Sequence, residues 1–172
     1  MATNLEFIKS ASTSTNASSI SVTDCFSAKY DVYRAILEID EVGTELAIET
    51  RLIDGSGVDS TSNYDTAVLS MPATGSFAEY QNTNADKWQY TMYSEGSTGG
   101  FYVANIHLPY DSSSYTFLTL HTSTHYMAGG TSTLIGRKYI GVHKVTESIT
   151  GIQVYGSSSN ITSAKLSVYG VK

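Results

Sequence analysis

YDVYRAILEIDEVGTELAIETRLID, residues Tyr30–Asp54, decides the fold class of this chain. In its first half Tyr33, Ala35, Leu37 and Ile39 recur at every second position, the spacing that sets side chains on one face of a strand. The other face carries Val32 and Ile36 beside Arg34 and Glu38, which predicts a central strand covered on most of both sides. In the second half Leu46, Ile48 and Leu52 are expected to point inward, with Glu49 and Arg51 outward. The link Glu41-Val42-Gly43-Thr44 suits a hairpin turn in which Gly43 supplies the positive φ.

Outward from this stretch the same period returns. Phe101–Leu108, Tyr115–Thr124 and Thr133–Val145 read as strands, as does Ser163–Val171, where Ala164, Leu166 and Val168 face inward. Pro109, Asp111 to Ser114, and Gly129-Gly130 mark the turns between them. Residues 72–99 are the least regular, with a single strand expected at Trp88–Tyr93. Ser10–Ser19 is Ser/Thr-rich and reads as part of a polar N-terminal arm or edge segment within residues 1–19. The whole, residues 1–172, predicts one all-β domain: an antiparallel, jelly-roll-like β-sandwich of about nine strands in meander order.

Composition agrees with that class. Of the 172 residues 41% are hydrophobic and 15% charged, so Ser, Thr and Tyr take outer positions usually held by Lys and Glu. A net charge of −6 with basic residues scattered singly, only Arg137-Lys138 being adjacent, argues against nucleic acid. Cys25 is the only cysteine, set in an apolar context, and reads as a small buried hydrophobe. The N-terminal residues lack the apolar core of a signal peptide, and no run approaches the roughly 18 apolar residues of a membrane helix.

His121 and His125 share a strand face but stand about 13 Å apart, too far for one zinc ion. His107 and His143 fall on other strands, and no spacing links them to a carboxylate. Asp54, Asp59 and Asp65 punctuate a Gly/Ser-rich loop, where capping of turns competes with calcium binding. No nucleophile-elbow, zinc-protease or phosphate-loop motif is present. The expectation is therefore of no enzyme and of no catalytic, cofactor-binding or metal residues. Six aromatics assigned to loops or turns, Tyr64, Tyr80, Trp88, Tyr93, Tyr110 and Tyr126, suit internal structure, a protein interface or sugar stacking.

Two stretches resemble a known family. FSAKYDVYRAILEID (Phe26–Asp40), followed by LAIETRLIDGSG (Leu46–Gly57) and the Tyr64-Asp65 pair, opens the likeness. ESITGIQVYGSSSNITSAKLSVYGVK (Glu147–Lys172) closes it. Together they are similar to small β-rich virion proteins of tailed bacteriophages, over roughly residues 22–70 and 145–172. Ser159-Asn160 departs from the family's Gly-Asn turn, and Ala164 stands where Gly is frequent. The resemblance implies a structural component of the particle, on a tail appendage or decorating the head, made in the host cytoplasm and located in the virion. It implies self-association, with a trimer the leading expectation, and docking on other virion proteins, without nucleic acid or membrane. The second reading is a module that recognises host surface glycan.

Overall fold

The structure is a computed structural model, described here for residues 4–42, 46–95, 98–128 and 131–172. The turns expected at Gly43 and at Gly129-Gly130 lie outside the described residues, as does Gly96 and the side chain of Tyr126. Thirteen strands are present among the described residues: β1 (Leu5–Thr13), β2 (Ser19–Val22), β3 (Val32–Val42), β4 (Leu46–Asp54), β5 (Gly57–Val58), β6 (Tyr64–Pro72), β7 (Ala78–Ala85), β8 (Trp88–Ser94), β9 (Gly100–His107), β10 (Thr116–Ala128), β11 (Thr131–His143), β12 (Gly151–Gly156) and β13 (Ile161–Val171). They form an antiparallel, jelly-roll-like β-sandwich.

The larger sheet has eight strands in the order β1-β13-β3-β9-β10-β11-β6-β7. The smaller runs β2-β12-β4, and the free edge of β4 is shared by β8 along Leu46–Thr50 and by β5 at Ile53–Asp54. This order is not a meander. It also overturns the hairpin expected after Glu41, because β3 and β4 belong to different sheets. The chain crosses from one layer to the other there, and a period of two is the same whether a strand's partner is its neighbour in sequence or not.

The expected inner face of β3 is observed: Tyr33, Ala35, Leu37 and Ile39 are buried beside Tyr102, Ala104 and Ile106 of β9 and Leu166 and Val168 of β13. β4 departs from its expectation, since Glu49 is only 5% exposed. Lys87 approaches Glu49 to 3.4 Å, so the carboxylate is covered by a cation rather than by water.

The first and last described residues lie together. β1 pairs with β13, and the backbone N–H of Lys172 donates to the carbonyl of Asn4 at 2.9 Å. Glu6 on β1 is gripped by Lys29 at 2.6 Å, by the Tyr30 hydroxyl at 2.5 Å and by Lys172 at 3.3 Å.

At the other side of the sandwich Trp88 opens β8 and is fully buried. Its indole lies edge-on to Tyr64 at 5.4 Å and rests on Gly141 of β11, where a Cβ would fall 2.7 Å from Nε1. Only a residue without a side chain allows that approach. The contact seats the last long strand of the small sheet on the large one.

Candidate functional site

The register of the large sheet shows where its inner face changes character. One cross-strand row reads Leu166, Leu37, Tyr102, Thr122, Arg137, Ser70, Ala78, from β13 through β3, β9, β10, β11 and β6 to β7. Leu166, Leu37 and Tyr102 belong to the core between the sheets, and polar side chains begin at Thr122, toward the edge formed by β6 and β7. Burying them under an apolar layer would cost a desolvation penalty for each unsatisfied group.

Between β7 and β8 the sandwich opens as a groove. A hollow of about 470 Å³ is lined by Ser70, Thr74, Tyr80, Tyr93, Thr133 and Arg137, among others. A second, of about 300 Å³, shares Tyr80 and adds Tyr90, Gln89 and Asn82. Asn82 of β7 donates to Gln89 of β8 at 2.8 Å, a bridge across this smaller hollow.

Arg137 organises the floor. Its guanidinium lies 4.1 Å from the ring centre of Tyr93 and 5.7 Å from that of Tyr80, and it donates to the Tyr90 carbonyl at 2.8 Å. A planar guanidinium can stack and donate in its plane at once, which an ammonium cannot. Burial holds the Tyr93 hydroxyl above the usual phenol range despite the nearby Arg137 charge, so the ring stays neutral.

Tyr90 is set by backbone geometry. β8 steps from Trp88 to Met92 while β4 steps only from Thr50 to Ile48, a bulge in β8. Within it Tyr90 adopts φ 55°, a left-handed conformation uncommon for an aromatic residue. The result turns its ring to stack on Tyr93, with centres 5.7 Å apart and planes 13° from parallel. Tyr80 and Tyr90 are 49% and 41% exposed, so aromatic surface and hydroxyls face the solvent side of the groove.

Of the six aromatics singled out in the sequence, the structure brings Tyr80 and Tyr93 into this groove, both from strands. Tyr64 and Trp88 are core residues. Tyr110 lies elsewhere, in a hollow with Ser27 and Tyr30. Sequence reading missed Arg137 and Tyr90. Arg137 was legible in principle, because it is in phase with Thr133, Ile135 and Tyr139, which all face inward. Nothing in the sequence marks the bulge that aims Tyr90.

A second constellation lies at the start of β6. His143, at the end of β11, is fully buried, and its Nε2 is 2.5 Å from Oδ2 of Asp59, a residue 84 positions away. Oε1 of Glu147 is 3.9 Å from the same nitrogen. Nε2 carries the proton in the arrangement that fits, since the carboxylate can only accept. Burial pushes the imidazole below its usual range although Asp59 opposes this. Burial also acts to raise Asp59, but the Thr61 hydroxyl and amide, with His143, bring it below the ordinary carboxylate range.

Of the other two aspartates singled out, Asp54 caps a turn, whereas Asp65 lies on β6 and holds residues distant in sequence. Asp54 accepts from the amide and hydroxyl of Ser56 and the amide of Gly57, and Asp65 accepts from the amide of Asn84 and pairs with Lys144 at 2.8 Å. His121 and His125 lie on the outer face of β10, paired across to Lys138 and Leu134.

No family model and no curated protein matches the chain. Among solved structures it is similar to a marine PL-14 alginate lyase from Aplysia kurodai, at 5% identity over 96% of this chain and 98% of that one, with a TM-score of 0.41. It is also similar to a protein of unknown function from Shewanella oneidensis MR-1, at 11% identity over 98% and 76% of the two chains, with a TM-score of 0.26. A third, an endo-β-1,4-glucuronan lyase from the fungus Trichoderma reesei, is 7% identical over 95% and 79%, with a TM-score of 0.29. Likeness at this level carries no activity to this chain. The expectation of no enzyme is corrected to this extent: two of these three similar chains are lyases, so an enzyme is not excluded for a chain of this fold.

Proposed function

We propose that this chain binds polysaccharide in the groove between β7 and β8, as a recognition module for a cell-surface glycan. The observation that carries this reading is the combination of exposed Tyr80 and Tyr90 with a floor of hydroxyl, amide and guanidinium groups. A sugar ring has an apolar face and an equatorial girdle of hydroxyls. Tyrosine rings take the first, and side chains such as Thr133, Ser70 and Gln89 take the second.

The test is retention of the protein on a panel of immobilised polysaccharides. Tyr80→Ala and Tyr90→Ala should each weaken retention by roughly fivefold, the scale of about 1 kcal/mol for one aromatic contact. Their melting temperatures should stay at that of the parent. Retention unchanged in both variants would refute the assignment. The same incubations, read for shortened chains, report whether binding leads to cleavage.

A second reading, a self-associating component of a phage particle, is favoured by a different surface. Phe101, Phe117, Leu134 and Ile140 are 46–54% exposed on the outer face of β9, β10 and β11. Beside Phe117 and Ile140 lies a hollow of about 460 Å³. Phe117 and Ile140 share this hollow, and exposed apolar surface marks interaction sites. Mass photometry should find a trimer or hexamer, and a monomer at high concentration would count against it.

A further inference from the structure

We infer that Asp59, His143 and Glu147 form a binding site for a first-row divalent cation, with zinc the best fit. Each residue offers one ligand atom, and the three atoms lie within 4.8 Å of one another. One imidazole nitrogen with two carboxylate oxygens is a donor set that suits zinc, leaving a fourth position for water. Zinc bonds of about 2.0–2.2 Å set neighbouring ligand atoms some 3.3 Å apart in a tetrahedron. The Asp59–His143 contact of 2.5 Å would open by less than an ångström, and the 3.9 Å to Glu147 would close by about as much.

Three features point to a cation rather than to a shared proton alone. The first is charge. Asp59 engages Nε2 of His143 at 2.5 Å and Glu147 stands 3.9 Å from the same nitrogen, so two carboxylates crowd one imidazole. The neighbouring cations are committed elsewhere: Lys144 to Asp65 and Asn84, Arg51 to Asp86. A divalent ion would neutralise the two carboxylates gathered around this imidazole.

The second is orientation. Oδ1 of Asp59 accepts from the Thr61 amide at 2.7 Å and hydroxyl at 2.6 Å, which leaves Oδ2 aimed at His143. The Thr61 hydroxyl itself accepts from the Asn63 amide group at 2.7 Å. Such outer contacts hold ligands in place before a metal arrives. The third is access. Asp59 and His143 are closed off, but the Glu147 side chain is 30% exposed, so an ion can enter on that side.

The test titrates zinc chloride into the full chain, stripped with a chelator, by calorimetry at neutral pH, with cobalt(II) as a visible reporter. One zinc per chain is expected, with the His143 proton shifting from Nε2 to Nδ1 as Nε2 becomes a ligand, and with weaker binding in acid. Glu147→Gln, the partly exposed ligand, should weaken zinc binding about tenfold or more while leaving the circular dichroism and the metal-free melting temperature unchanged. His143→Gln should abolish it. No binding at millimolar zinc would overturn the inference, as would binding that Glu147→Gln leaves intact. Calcium binding as tight as zinc would overturn the choice of metal class.

Discussion

Gly141→Ala probes how β8 is held, and with it the wall of the groove. A Cβ at this position meets Trp88 at 2.7 Å from Nε1, 2.9 Å from Cδ1 and 3.2 Å from Cε2. Carbon contacts are comfortable at about 3.5 Å and beyond, so the indole must retreat by about 0.8 Å. It has little room, since Trp88 is fully buried with Tyr64 against its edge. Overpacking of a filled site costs about 1–3 kcal/mol. Replacing glycine also restricts the unfolded chain, which returns about 0.4–1 kcal/mol and reduces the loss without reversing it at the upper end. For a chain of this size 1 kcal/mol corresponds to about 2–4 °C, so the melting temperature should fall by up to roughly 10 °C. Trp88 is the only tryptophan, so its emission reports the seat of β8 directly and should shift to the red. Gly55→Ala, where a Cβ meets nothing within 4 Å, serves as the control and should leave both readings alone. Gly141→Ala with parent-like melting and emission would refute the account of β8 as a strand docked through this contact.

Further outcomes follow from other parts of the molecule. Arg137→Lys keeps the charge but loses the planar stack on Tyr93 and its geometry toward the Tyr90 carbonyl, so polysaccharide retention should fall, and thermal unfolding should register a loss of about 1 kcal/mol or more. Leu37→Ala removes a fully buried side chain from the middle of the core and should destabilise by about 2–5 kcal/mol in denaturant titrations. Lys29, with Tyr30 and Lys172, lowers the Glu6 carboxyl from 4.5 to about 2. A depressed carboxyl stabilises the fold above its unfolded value and loses that contribution as pH falls through about 2, so the gap in melting temperature between parent and Glu6→Gln should be full above pH 4.5 and shrink toward pH 2. Burial pushes the Cys25 thiol up to about 12, so it should resist thiol reagents in the native protein and react fully once unfolded.

The sandwich was legible because burial on one face imposes a period of two, and Tyr33, Ala35, Leu37 and Ile39 display it without interruption. Pairing was legible only where sequence neighbours pair, as in β9-β10-β11. Leu46, Ile48 and Leu52 present the same pattern whether β4 lies beside β3 or in the facing sheet, and the rest of the order of the two sheets is set largely by contacts distant in sequence. β7 escaped detection because its sequence, AEYQNTNA, is mostly polar and sits at a sheet edge where only one flank is paired. The groove was half visible: Tyr80 and Tyr93 stand out as aromatics among polar residues, whereas Tyr90 depends on a bulge and Arg137 on the register of β11 with β6. His143 and Asp59 meet only because β11 ends beside the start of β6, where His143 pairs with Tyr64, a juxtaposition that no local spacing encodes.

The adjacency of Asn4 and Lys172 has a practical consequence. β1 and β7 bound the large sheet at opposite margins, seven strand spacings apart, which at about 4.8 Å each is on the order of 30 Å. A tether continuing from Asn4 or Lys172 therefore leaves from the corner remote from the groove, and a surface carrying the protein there would present Tyr80 and Tyr90 outward. A short linker could likewise join the two ends into a circular permutant, with new ends opened in an exposed loop such as that around Gly75.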